Sequence, residues 1–133
     1  MLVYLDSLVI IYFLDHDGHF QIRAANWIAE ASAAGIVLAV SDLTRFECRV
    51  KPIRNKDSAR LADFDGFFAQ PDIQLVSLPA VVFDRAAEIR ADFGFHAADS
   101  IHLAAAIEAR CDQFLTNDVR LSRFTGINVE ILP

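Results

Sequence analysis

The chain has 133 residues, of which 54% are hydrophobic and 23% charged, a composition that excludes a disordered segment, a collagen-like fibre and a solvated linker. Its length suits one domain spanning residues 1–133 and leaves no room for a second core. Twelve Lys and Arg against eighteen Asp and Glu give a net charge of −6, so any polyanion it touches must be drawn by local positive charge or by bound cations.

Cys48 and Cys111 are the only cysteines. Without histidines at ligand spacing they make neither a disulfide framework nor a zinc site, and a reducing cytoplasm is the expected compartment. The opening segment MLVYLDSLVIIYFL is apolar but carries Asp6 and no basic leader, unlike a secretory signal. No run reaches the roughly 18 apolar residues of a membrane span.

Leu2 to Leu5 is a short apolar run bounded by Asp6-Ser7, the pattern of a buried strand feeding a helix that starts near Leu8. Gln21 to Ala34 keeps helical apolar spacing, and Gly35 supplies a left-handed stop. Ile36 to Val40 is continuously apolar, as in a strand covered on both faces, and ends at the cap pair Ser41-Asp42. Leu43 to about Val50 predicts a helix halted before Pro52. Asp57 to Gln70 predicts another, with Leu61, Phe64 and Phe68 on one face and Gly66 weakening its second half. Ile73 to Leu78 reads as a third strand, with Pro79 in the first turn of a helix whose buried stripe is Val82, Ala86, Ile89 and Phe93. A strongly apolar helix opens near Asp99, a fourth strand runs from Gln113 to Thr116, and Val129 to Leu132 forms an edge strand. Strands separated by helical stretches imply crossover connections, hence a three-layer α/β/α sandwich with a mainly parallel sheet of four to five strands. Ligands of such sheets gather outside the carboxyl ends of the strands.

Four acids fall near that edge: Asp6 after the first strand, Glu47 in the helix after the second, Asp99 at the opening of the apolar helix and Asp118 after the fourth strand. Each has a plain alternative, as an N-cap for Asp6 and Asp99, a turn former for Asp118 and a solvated helix residue for Glu47. Converging, the four carboxylates would repel one another unless a positive charge lay among them. Hard oxygen donors suit Mg²⁺ or Mn²⁺, as one or two ions, and such a site hydrolyses phosphodiesters by activating water. Ser7 and Thr116 place hydroxyls beside Asp6 and Asp118, either to orient that water or simply to cap and turn the chain.

The segments YLDSLVIIYFL, SDLTRFEC, HAADSIHLAAAI and FLTNDVRL, in this order, resemble the PIN domain, and most closely the VapC toxins of bacterial toxin–antitoxin pairs. The resemblance covers nearly the whole chain. It implies that Asp6, Glu47, Asp99 and Asp118 form a Mg²⁺-dependent endoribonuclease centre, and it implies a small antitoxin partner, a homodimer and an RNA substrate. Ser7 departs from the threonine or asparagine of many relatives but keeps the polar side chain.

Six of the twelve basic residues lie between Arg45 and Arg60, opposed there only by Glu47 and Asp57. Arg45, Arg49, Lys51 and Arg54 are therefore candidate RNA contacts, against the alternative of a solvated surface. His102 follows Asp99 by three positions and shares its helix face, but a histidine in an apolar helix is more often a hydrogen-bonded core residue. His96 is a substrate contact or a loop residue. Phe46, Phe64, Phe67 and Phe68 cannot all face inward, so some are free to meet a partner. Two other readings compete with the nuclease. One is a non-catalytic module of the same architecture that docks a protein or sequesters RNA, and the other a phosphoacceptor receiver, for which the paired early acids and late lysine are missing.

Overall fold

The computed structural model describes residues 1–15 and 18–133. In chain order they form β1 (Leu2–Leu5), α1 (Ser7–Leu14), α2 (Gln21–Ala33), β2 (Val37–Ser41), α3 (Asp42–Arg54), α4 (Ser58–Phe68), β3 (Ile73–Val76), α5 (Ala80–Phe93), α6 (Ala97–Glu108), β4 (Gln113–Thr116), a 3₁₀ turn (Val119–Arg123) and β5 (Asn128–Ile131). The strands pair in the order β3-β2-β1-β4-β5, every pair parallel.

Strand side chains alternate between two apolar layers, as the pleat requires. Val3, Leu5, Leu38, Val40 and Leu115 pack beneath α1, α2, α3 and α4 with Val9, Ile10, Trp27, Phe64 and Phe67. Tyr4, Ala39, Val76 and Phe114 face the other way, against Val82, Ala86 and Ile89 of α5 and Leu103 of α6. The three-layer α/β/α sandwich expected from the sequence is thus present. Among the described residues no helix is long and apolar enough to cross a membrane, and both cysteines are free and buried.

Several boundaries differ from the sequence reading. α1 begins at Ser7, β3 ends at Val76, and α6 begins two residues before Asp99. The largest difference is at Pro52, which lies inside α3 rather than ending it. An internal proline costs a helix one N–H donor and crowds the carbonyl four residues earlier, yet Pro52 is buried and the helix runs on for two residues to Arg54. α4 likewise continues through Gly66. Gly94 closes α5 at φ 72°, a left-handed conformation that suits glycine.

The strand order places the switch of winding direction between β1 and β4. Diverging connections open a crevice at such a point, at the carboxyl ends of the two strands. Asp6 follows β1 directly, and Asp118 lies two residues beyond β4.

Candidate active site

Asp6 is the most enclosed of the four acids, with only 5% of its surface exposed. It is the residue before α1, yet its side chain makes no capping bond to that helix. Instead Thr116 Oγ1 donates to Asp6 Oδ2 at 2.6 Å, and the same Oγ1 accepts from the Asp118 backbone N–H at 3.0 Å. One buried threonine therefore couples the ends of β1 and β4. Burial pushes the Asp6 carboxyl above the usual carboxylate range, with the Thr116 hydrogen bond opposing that rise and the negative charge of Glu47 adding to it.

Glu47 is not a solvated helix residue. Ser7 Oγ donates to its Oε1 at 2.7 Å, and His102 Nε2 lies 2.5 Å from the same oxygen. Burial alone would raise this carboxyl, but the hydrogen bonds from His102 and Ser7 outweigh it and hold Glu47 below its usual value. On the far side of the imidazole, His102 Nδ1 lies 2.7 Å from the Tyr4 hydroxyl, which is itself 2.8 Å from Ser41 Oγ. The chain Glu47–His102–Tyr4–Ser41 thus runs from the sheet edge into the core, where His102 is 1% exposed. Burial pushes the Tyr4 phenol upward, so it stays protonated.

Asp99 is not an N-cap: His96 holds that position, and Asp99 is the third residue of α6. Its carboxyl is pushed up by burial and by the negative charges of Asp6 and Asp118. Arg120 Nη2 stands 3.9 Å from Asp99 Oδ2, and His96 Nδ1 is 4.0 Å from the same oxygen. Asp118 does serve its turn, accepting from the Arg120 backbone N–H at 3.0 Å. The Arg120 side chain also grips both of its oxygens, with Nε 2.9 Å from Oδ1 and Nη2 2.5 Å from Oδ2. That guanidinium, its side-chain hydrogen bonds above all, holds Asp118 below the usual carboxylate range.

The acids are linked through shared neighbours: Asp6 and Asp118 through Thr116, Asp118 and Asp99 through Arg120, and Glu47 to His102 and Ser7. Asp6, Asp99 and Asp118 lie on the β1/β4 side of the edge, while Glu47 stands to one side on its histidine and serine. As the side chains stand, no group of three or more His, Cys, Asp or Glu among the described residues is drawn together tightly enough to hold a metal ion. The donor set nonetheless suits a hard divalent cation, being all carboxylate oxygen, and the positive charge present in the crevice is the exposed Arg120.

The basic run from Arg45 to Arg60 is divided by the helix it lies on. Arg45 pairs with Asp42 and Arg49 with Asp65, and both line a shallow groove with Phe46. Lys51 faces the other way, 3.5 Å from Asp15, and lines a cleft of about 180 Å³ with Glu47 and Arg60. Arg54 is exposed at the end of α3. Of the four phenylalanines, Phe64 and Phe67 are buried and Phe46 is 66% exposed. Sequence reasoning passed over Tyr4 and Arg120; its preferred reading of His102, a hydrogen-bonded core residue, fits the buried imidazole but did not name Glu47 and Tyr4 as its partners. A phenol in an otherwise aliphatic buried strand, two residues before an aspartate, and an arginine two positions after a turn aspartate were the available signals.

A family model described as the PIN domain matches residues 3–127. A search of curated proteins returned no match. Among solved structures, VapBC2 from Rickettsia felis, bound to a DNA fragment from its promoter, aligns at TM-score 0.82 and 15% identity over 100% of both chains. DNA-bound VapBC from Salmonella typhimurium gives 0.79 and 17%, again over 100% of both chains. VapC20 from Mycobacterium tuberculosis, a sarcin–ricin loop cleaving toxin, gives 0.77 and 11% over 95% of this chain and 98% of that one. A match along nearly the full length, on a fold shared with these toxins, makes the chain a member of the PIN domain family.

Proposed function

We propose that this chain is the toxin of a type II toxin–antitoxin pair, a Mg²⁺- or Mn²⁺-dependent endoribonuclease acting in the cytoplasm. The observation that carries this reading is the crevice between β1 and β4, where Thr116 joins Asp6 to the Asp118 backbone and Arg120 Nη2 stands near both Asp118 and Asp99. Family membership supports it, as do neighbours that are VapBC complexes and a sarcin–ricin loop cleaving toxin.

In this reading Asp6, Asp99 and Asp118 hold one or two ions, directly or through water, and Glu47 aligns a second ion or the attacking water. A divalent ion bound there supplies Lewis acidity for attack of water on the phosphodiester and neutralises charge on the leaving oxygen. The protein's share is positional. Thr116 fixes the rotamer of Asp6, and His102 with Ser7 fixes Glu47 in its ionised form, so both carboxylates are oriented before RNA arrives. Arg120 pairs with Asp118, and its guanidinium would be available to a phosphate oxygen if Asp118 held a cation instead. Arg45, Arg49, Lys51 and Arg54 attract the RNA backbone from either side of α3. An antitoxin partner and a homodimer complete the proposal.

Purified protein incubated with RNA and Mg²⁺ or Mn²⁺ tests it. Cleavage that disappears on chelation and in Asp6→Asn is expected; cleavage by Asp6→Asn at the native rate overturns it. A second reading, a PIN-like module that docks a protein or sequesters RNA without hydrolysis, is favoured by the bidentate hold of Arg120 on Asp118. RNA binding that survives EDTA, with no cleavage under any divalent ion, selects that alternative.

A further inference from the structure

The 3₁₀ turn Val119–Arg123 carries two arginines on one face, because side chains three positions apart eclipse in such a turn. Arg120 pairs with Asp118 and approaches Asp99. Arg123 reaches instead to the turn between α5 and α6, where its Nη2 donates to the Phe93 carbonyl. Its guanidinium carbon also lies 4.6 Å from the centre of the Phe95 ring and 5.8 Å from that of Phe93, within the range of a cation–π contact. Those two rings are stacked 5.3 Å apart, and Phe124, the residue after Arg123, meets both edge-on. From α5, Arg90 Nη1 donates to the Phe95 carbonyl at 2.5 Å, so the carbonyls on either side of Gly94 are each taken by an arginine.

These contacts join the two segments that carry Asp99 and Asp118. Phe95 lies four residues before Asp99, and Arg123 five residues after Asp118. The side-chain link between the two acids is the exposed Arg120, whose approach to Asp99 is loose at 3.9 Å. We infer that Arg123 is a positioning residue: it latches the 3₁₀ turn onto the α5–α6 turn and so fixes Asp118 relative to Asp99 before a cation is bound. The inference rests on the metal-centre reading for its purpose, though not for the latch itself. Phe124 is buried in the aromatic cluster and draws the turn inward, but apolar contact is non-directional and tolerates sliding. A hydrogen bond and a guanidinium stacked on a ring are directional, and they set the orientation of the turn. Arg90 supplies the contrast, since its hydrogen bond braces the α5–α6 turn without joining it to the 3₁₀ turn.

Arg123→Met keeps an apolar stem beside the rings and removes the guanidinium, and Arg90→Met is its comparison. Amide hydrogen exchange of the metal-free protein is read at Asp118, Arg120 and Leu121, whose N–H groups are each bonded at 3.0 Å to Thr116 or Asp118. In Arg123→Met these amides are expected to exchange about tenfold faster, in Arg90→Met at the wild-type rate, and in Arg123→Lys, which keeps a donor and the charge, at an intermediate rate. Calorimetric titration of Mn²⁺ reads the consequence. Affinity is expected to fall about three- to tenfold in Arg123→Met, short of the loss of about 10–100-fold typical of a group bonded directly to a metal ligand, and to hold in Arg90→Met. Unchanged exchange in Arg123→Met overturns the latch. Faster exchange with unchanged Mn²⁺ affinity overturns the positioning role, as does an equal loss of affinity in Arg90→Met, which assigns the effect to the α5–α6 turn as a whole. A wild type that binds no Mn²⁺ removes the metal-centre reading and the positioning role with it, while exchange alone still decides whether the latch exists. Circular dichroism of the three variants establishes that they are folded.

Discussion

Glu47 and His102, 55 positions apart in the chain, meet at 2.5 Å through Oε1 and Nε2. The imidazole is enclosed on its other side by Tyr4, so this pair ties the outer acid to the core of the sheet. Replacing His102 by Ala strips Glu47 and the Tyr4 hydroxyl of a partner at once, and a loss of about 2–4 kcal/mol in chemical denaturation is expected. Tyr4→Phe removes one hydroxyl from the same chain and is expected to cost about 1–2 kcal/mol.

The pH dependence of stability has a defined sign at this pair. Glu47 is held below its usual value of 4.5 in the folded protein. Its contribution is therefore complete above that value and is lost as pH falls through the lower folded value. Acid denaturation of His102→Ala should accordingly begin from lower stability and show a shallower dependence on pH below about 4.5. An unchanged slope in a pH series of urea melts would contradict the role given to His102.

Asp6 and Asp99 carry the opposite sign. Both are raised above the usual 3.8, so their charging weakens the fold as pH rises from that value through the folded one. At neutral pH and without divalent ions, Asp99→Asn is expected to stabilise the protein by about 1 kcal/mol while eliminating RNA cleavage. Mg²⁺ should raise the melting temperature of the wild type and leave that of Asp99→Asn unchanged.

Thr116 supplies one donor and one acceptor in the same buried corner. Thr116→Val keeps the shape, removes the hydrogen bond to Asp6 and leaves the Asp118 backbone N–H without its partner, for an expected loss of about 1–3 kcal/mol. Thr116→Ser retains the hydroxyl and should recover most of both stability and cleavage. Equal behaviour of the two variants in thermal melts would mean that the methyl group, not the hydroxyl, matters.

Two glycines should respond with opposite signs. Gly66 lies within α4 with open space where a Cβ would stand, so Gly66→Ala is expected to stabilise by about 0.5–1 kcal/mol. Gly94 sits at φ 72°, and Gly94→Ala should cost about 1 kcal/mol.

The strands and most helices were legible because burial on two faces leaves uninterrupted apolar runs such as LVYL and IVLAV, while α-helical faces repeat at helical spacing. Pro52 was misread because local rules register the lost donor but not the burial of its ring in tertiary contacts. At the sheet edge, chain position alone assigned Asp6, Glu47, Asp99 and Asp118 to the carboxyl ends of the strands, without a strand order. It did not reveal that Asp99 falls inside α6, or that Arg120 clasps Asp118. Nor could spacing reveal that His102 reaches Glu47 from another helix. Such pairings depend on how α3 and α6 lie against the sheet, which no local pattern encodes.

Calorimetric titration of Mn²⁺ into the wild type and into Asp6→Asn and Asp99→Asn examines the crevice itself, whatever RNA it serves. Saturable binding by the wild type at neutral pH, lost in both variants while their circular dichroism is unchanged, is the expected result. A wild-type protein that takes up no Mn²⁺, or variants that bind it as tightly, would mean that the acids at the β1/β4 edge are not a metal centre.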